Sequence, residues 1–175
     1  EPIRYFMLTA GYRMPLNYTV ELIESCKNSL ERLYTCRDNL DFAIEHAHGD
    51  SDALVEKAEQ ARQKFITAMD DDLNTPDALA ALFDFVKDIN TLSDAASRPA
   101  LEQAAQMFDE LAGVLGLLYN RKKDEVPAEV TDLVNQRAAA KKAKDWPRAD
   151  AIRARLAEMG WTVTDTAQGP KVSKA

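Results

Sequence analysis

The residues with the most chemical content lie between Lys141 and Gly169. Lys141, Lys142, Lys144, Trp146, Arg148, Asp150, Arg153 and Arg155 crowd into a helical pattern, and a strand-like tail with Asp165, Gln168 and Gly169 follows. From Arg137 to Arg155, seven Lys/Arg stand against two Asp, a net of +5 in a chain of net charge −7, so the remainder carries −12. A basic island on an acidic protein marks a place where an anion is expected. Trp146 offers a face for base stacking. Arginine presents a planar fork to a base edge or a phosphate. A carboxylate accepts from exocyclic amines and ring N–H groups, which a phosphate cannot supply. Asp150 and Asp165 therefore make sense for bases rather than for backbone binding. Single-stranded RNA is the leading ligand class, with Lys141, Lys142 and Lys144 on phosphates and Trp146, Asp150, Arg153, Asp165 and Gln168 beside them. A plainer account fits the same residues. Trp146 closes the corner between two helices, and Asp150 and Arg153, three apart, form an ion pair on a solvated face.

No catalytic constellation stands elsewhere. The chain has no glycine-rich phosphate loop, no nucleophile elbow and no zinc-ligand spacing. Asp70, Asp71 and Asp72 are consecutive rather than alternating, so they do not make a calcium loop. They read as a solvated helix end that feeds a cap at Thr75. Cys26 and Cys36 are ten residues apart on one helix, about 15 Å, beyond disulfide reach. His46 and His48 point to different sides of that helix. All four read as structural or incidental, and a reducing cytosol is the natural compartment. No apolar run is long enough to span a membrane. The N-terminus lacks the regions of a secretory signal and does not begin with Met, so the chain reads as cut from something longer.

The elements that must position the cluster are nearly all helical. Of the 175 residues, 46% are hydrophobic, enough for a core, and 29% are charged. Glu1 to Ala10 reads as the end of a helix, and Gly11 to Tyr18 as a loop. A long helix spans about Thr19 to His46, with Ile23, Cys26, Leu30, Leu33, Leu40 and Ile44 as its buried stripe. Ser51 is positioned to cap a helix that runs to about Met69. Thr75 is placed as the next N-cap, with Pro76 and Asp77 in the first turn and Leu79, Leu82, Phe83, Val86 and Ile89 inward. A further helix runs from about Pro99 to Tyr119, with Leu101, Ala105, Phe108, Leu111, Val114 and Leu118 inward. Long stripes with short connections predict an antiparallel helical bundle. The polar stretch Asn120 to Glu125 marks a boundary. Beyond it, helices over Pro127–Ala143 and Pro147–Met159, a Gly160 C-cap, a strand at Trp161–Thr164 and a return near Lys171–Ser173 predict a small α+β domain with a C-terminal β-hairpin. The fold class is mainly α. The organisation expected is 1–18 as a leading segment, 19–122 as the bundle and 123–175 as the small domain.

At three places the sequence resembles bacterial cysteinyl-tRNA synthetase, specifically its C-terminal half. Arg4-Tyr5-Phe6-Met7-Leu8 through Tyr12-Arg13-Met14-Pro15-Leu16-Asn17-Tyr18 is similar to the segment after the family's KMSKS catalytic loop. Phe65 through Ala68-Met69-Asp70-Asp71-Asp72-Leu73-Asn74-Thr75-Pro76-Asp77-Ala78-Leu79 resembles the hallmark of its helical DALR-type domain. Lys142-Ala143-Lys144-Asp145-Trp146, Ala149-Asp150-Ala151-Ile152-Arg153 and Asp165-Thr166-Ala167-Gln168-Gly169 resemble its anticodon-reading domain. The family charges cysteine onto its tRNA at the expense of ATP, with a catalytic domain and a zinc site upstream of this segment. The resemblance implies that the chain recognises that tRNA, with the bundle against the stem and the small domain on the GCA anticodon. It implies stacking at Trp146 and base-edge contacts at Asp150, Arg153 and Asp165. It implies no cofactor in this segment, with ATP and zinc expected in the missing catalytic domain. A cytoplasmic monomer without membrane contact is expected. The chain departs from the family at Ala167, where Pro is usual, and after Gly169, where Pro170-Lys171-Val172-Ser173-Lys174-Ala175 replaces a Thr-Thr-Trp-Arg-like ending.

Two rival readings remain. A related ligase that joins cysteine to a sugar amine in mycothiol synthesis shares the catalytic fold but needs no anticodon reader, which Arg137 to Gly169 speaks against. A helical protein-interaction module leaves Trp146, Asp150, Arg153 and Asp165 unexplained as a set.

Overall fold

A computed structural model describes residues 1–121, 126–166 and 169–174. Chain contacts divide it into two compact units, Glu1–Arg121 and Lys122–Ala175. The first holds helices α1 (Pro2–Leu8), α2 (Val20–Glu45), α3 (Ala53–Asp70), α4 (Thr75–Leu92) and α5 (Arg98–Val114). The second holds α6 (Ala128–Lys142), α7 (Trp146–Glu158) and the strands β1 (Trp161–Thr166) and β2 (Gly169–Lys174).

In the first unit, each long helix turns its apolar stripe inward, and the stripes meet in one core. Leu33, Leu40, Leu54, Leu82, Phe85, Ile89, Leu101 and Phe108 are essentially inaccessible. Each stabilises the fold by about 1.5–3 kcal/mol relative to exposure. The α2–α3 and α4–α5 connections lie together at one end of the bundle. Ser51 N donates to Ala95 O at 3.0 Å, and Ser97 N donates to Ser51 O at 2.8 Å. Consecutive helices from α2 to α5 therefore alternate in direction. Gly49 permits that closeness, since a Cβ there would fall 2.3 Å from the Ala95 carbonyl.

The helix ends differ from the sequence expectations in instructive ways. Asn74, not Thr75, caps α4. Its side chain accepts from Asp77 N at 3.2 Å, and Thr75 is the first helical residue. Asp52 takes the N-cap position of α3 without a side-chain bond to the helix, and its carboxylate accepts from Ser97 Oγ at 2.6 Å. Ser51 instead accepts from Ala53 N at 3.3 Å and gives its backbone to the loop pairing. Helix α5 stops at Val114 rather than Tyr119. Gly116, at φ +65°, takes the left-handed C′ position, and Leu117 N closes back on Ala112 O at 2.9 Å. Val114 is exposed rather than inward. Phe83 is only partly buried and carries the Arg32 guanidinium over its ring, while Phe85, absent from the expected stripe, is fully buried. Asp72 is a backbone-strained position at φ +56° and accepts from Tyr12 Oη at 2.9 Å. Among the described residues, no cluster of three His, Cys, Asp or Glu could hold a metal.

The last segment of this unit is held by a polar clasp. The Glu1 carboxylate accepts from Leu118 N at 2.5 Å and from Tyr34 Oη at 2.6 Å. Tyr34 Oη accepts from Asn120 N at 3.2 Å. Burial, then the Glu1 carboxylate, push the Tyr34 pKa up to about 12. Arg37, buried, forks onto Asp109 at 2.8 and 2.9 Å and reaches Asp41, which also pairs with Arg121.

The second unit packs α6 against α7, and both against the hairpin. Its core is Val130, Leu133, Val134, Ile152, Leu156, Trp161 and Val163. Strand β1 pairs antiparallel with β2, with Trp161 opposite Lys174 and Thr166 opposite Gly169. The return strand is longer than Lys171–Ser173. Ala167, Gln168 and the residues 122–125 lie outside the described residues, so the Gln168 expectation falls there. Among the described residues, no helix is long and apolar enough to cross a membrane.

Candidate nucleic-acid interface

The corner between α6 and α7 sets the position of the aromatic residue. Lys144 adopts φ +61°, and the corner closes through Lys144 N to Lys141 O at 3.0 Å and Asp145 N to Ala140 O at 2.9 Å. This is a Schellman turn built on lysine instead of glycine. Asp145 then caps α7, accepting from Arg148 N at 3.2 Å. The next residue, Trp146, is forced to the first helical position and stays 56% exposed. Trp161, by contrast, is 8% exposed in the core. Trp146 therefore does not plug the corner. It presents an open ring.

Asp150 and Arg153 follow Trp146 at four and seven residues, on the exposed side of α7. The opposite side buries Ala149, Ile152 and Leu156. The Asp150–Arg153 ion pair of the plainer account is absent among the described residues. Neither side chain, nor Lys142 or Lys144, makes a hydrogen bond or ion pair there. A helix face with one aromatic, one acid and several unpaired cations is available to an external partner.

Asp165 is different. Strand alternation puts Trp161, Val163 and Asp165 on one side of β1, and the first two enter the core. At the third position the facing helix supplies cations. Arg137 Nη1 and Nη2 donate to Asp165 Oδ1 and Oδ2 at 2.8 and 2.9 Å, and Lys141 Nζ lies 2.8 Å from Oδ2. The Arg137 fork, then Lys141, hold the Asp165 carboxyl well below the usual carboxylate range. Arg137 itself is only 7% exposed. Its pKa is raised by the bond to Asp165, against its own burial, with help from the Asp150 charge through space. Lys141 is thus found on a carboxylate, not standing free.

Arg137 was not among the expected site residues. Its signal is in the sequence nonetheless. Val130, Leu133, Val134, Arg137 and Ala140 make the buried stripe of α6, and a cation in such a stripe needs a partner. Arg155, expected within the basic island, is tied instead to Glu129 at 2.9 Å.

Two protein families match stretches of the chain. Residues 64–119 match the DALR domain family, and residues 123–170 match the cysteinyl-tRNA ligase anticodon binding domain family. The chain belongs to the cysteine–tRNA ligase family. It is 43% identical to a cysteine–tRNA ligase of Caldicellulosiruptor saccharolyticus, over 99% of this chain and 38% of that protein. It is 38% identical to one from Finegoldia magna, over 97% of the chain and 37% of that protein. One from Klebsiella pneumoniae is 41% identical over the same shares. The chain therefore spans under two fifths of the length of these relatives and carries their DALR and anticodon-binding domains.

Proposed function

We propose that residues 122–175 read the GCA anticodon of the cysteine tRNA, and that the chain is the tRNA-binding portion of a ligase that joins cysteine to that tRNA using ATP. One observation carries the reading most directly. Trp146, more than half exposed and turned out of the core, shares a helix face with Asp150 and Arg153, and none of the three is consumed by the fold. A base stacked on Trp146 brings its edge toward groups that discriminate donors from acceptors. Lys142 and Lys144 flank this face as phosphate contacts. On this reading ATP and zinc belong to the part of the ligase that the chain does not span. The chain acts in the cytoplasm as a monomer.

The test is an electrophoretic shift with the cysteine tRNA beside a copy whose anticodon is substituted. The matched tRNA should shift at markedly lower protein concentration. Equal shifts at moderate salt overturn the reading. The purified chain should also show no cysteine-dependent ATP–pyrophosphate exchange, and exchange would relocate the catalytic residues into it.

A further inference from the structure

We propose that Arg137 is the positioning residue of this reader, a buried fork that fixes the Asp165 carboxylate, and that Lys141 is a displaceable counter-ion that yields Asp165 Oδ2 to a base amine and turns to phosphate. The proposal rests on the anticodon reading above and names a division of labour within it.

The three side chains differ in the way the proposal needs. The Arg137 side chain is 9% exposed, Lys141 34% and Asp165 48%. A carboxylate offers about four lone-pair sites. Arg137 occupies one on each oxygen, which fixes the plane of the group. Lys141 takes a second site on Oδ2. The remaining capacity faces outward with the exposed half of the side chain. A two-point fork from a buried stem is not exchanged for solvent or ligand at small cost. A single ammonium on a four-carbon stem swings away readily. The Nε of Arg137 is buried and has no hydrogen-bond partner among the described residues. The residue is therefore held in place by what its other two nitrogens do. Asp150, on the α7 face, also acts on Arg137 through space. Arg137 thus holds the Asp165 carboxylate charged without being available to phosphate, which would bind an exposed arginine without regard to sequence.

The experiment uses the whole chain and two independent readouts. The first is the carboxyl titration of Asp165 by carbon NMR without RNA. The second is the ratio of affinities for the matched and anticodon-substituted cysteine tRNAs, with thermal melts as a control. Arg137→Gln should move the Asp165 midpoint up toward the ordinary value near 3.9 and cut the affinity ratio at least tenfold. Arg137→Lys restores charge without the fork, so the ratio should stay low. In an Asp165→Asn background, Arg137→Gln should lower the ratio no further, because Arg137 acts through Asp165. Lys141→Gln should keep the ratio and lower the slope of log affinity against log salt by about 0.7.

An Arg137→Lys chain that melts like the parent and keeps its ratio within twofold overturns the proposal. So does a Lys141→Gln chain that loses the ratio. If Arg137→Gln does not fold, the Arg137→Lys result decides alone. A parent chain with no preference between the two tRNAs sinks the anticodon reading instead. The Asp165 titration still judges the positioning claim in that event, and an unmoved midpoint in Arg137→Gln refutes it.

Discussion

The two units use charge in opposite ways. Residues 1–121 carry 11 Lys/Arg against 21 Asp/Glu, a net of −10, while residues 122–175 carry 11 against 8, a net of +3. In the first unit, seven of the eleven cations, Arg13, Lys27, Arg37, Arg62, Lys64, Arg98 and Arg121, stand in ion pairs within the unit. In the second, Lys142, Lys144, Arg148 and Arg153 have no such partner among the described residues. Exposed pairs contribute little stability, about 0–1 kcal/mol each, so the pairing of the bundle is not chiefly a source of strength. The four cations it leaves outside ion pairs are Arg4 and Arg32, which lie over the Tyr119 and Phe83 rings, Lys57, which reaches Gln60, and Lys87, and they stand on a unit whose net charge is −10. Among the described residues, the small unit leaves Lys142, Lys144, Arg148 and Arg153 without an ion pair and Trp146 exposed. A surface that is incomplete until a ligand arrives differs from one that is complete without it, and on the proposed reading sequence-dependent RNA contact belongs to the second unit.

The sharpest way to break the comparison is to damage the core of the first unit and look for an effect on reading. Phe108 is fully buried, with its ring centroid 6.4 Å from that of Phe85. Phe108→Ala should cost about 3–5 kcal/mol of stability, seen as an early thermal transition. Below that transition, the ratio of affinities for matched and substituted anticodons should be unchanged. A fall in the ratio would mean that the bundle takes part in reading.

Next in size is the aromatic residue. Trp146→Ala should cost about 1–3 kcal/mol of RNA affinity with weak dependence on base identity. The melting temperature should hardly move, because the ring is more than half exposed and outside the core. An early melt with intact affinity would restore Trp146 to the role of a structural corner residue.

Much of this architecture was legible from the sequence, for a physical reason. Helices that bury one side leave a 3.6-residue apolar period, and the long helices α2 to α5 left a readable trace of it. The ends were less legible, because capping is a local competition. Asn74 and Thr75 are both good caps, and only the geometry of the Asp72–Leu73 turn decides which side chain reaches Asp77 N. The site was legible where its residues are exposed and chemically unusual, as at Trp146, Asp150 and Arg153. Arg137 was passed over because an apolar period counts hydrophobic residues and skips the cation within it. Its partner is 28 residues away, on a strand. A long-range pair of that kind becomes visible only when the register of β1 against α6 is known.

The smallest effect expected comes from Lys144, where structure and function pull against each other. Its φ of +61° places a β-carbon where glycine is usually found. A left-handed non-glycine residue costs about 1–2 kcal/mol, although glycine returns roughly half of that through the entropy of the unfolded chain. Lys144→Gly should therefore raise stability by a few tenths of a kcal/mol to about 1 kcal/mol. If the ammonium contacts phosphate, the same change should weaken binding to matched and substituted tRNAs alike and reduce the salt slope by about 0.7. Lys142→Ala removes a charge from the last residue of α6 without touching that backbone strain, so it should reproduce the change in slope without the gain in melting temperature. If Lys144→Gly stabilises the unit and leaves the slope unaltered, the lysine serves no phosphate. The charge contrast between the two units would then rest on Lys142, Arg148 and Arg153 alone.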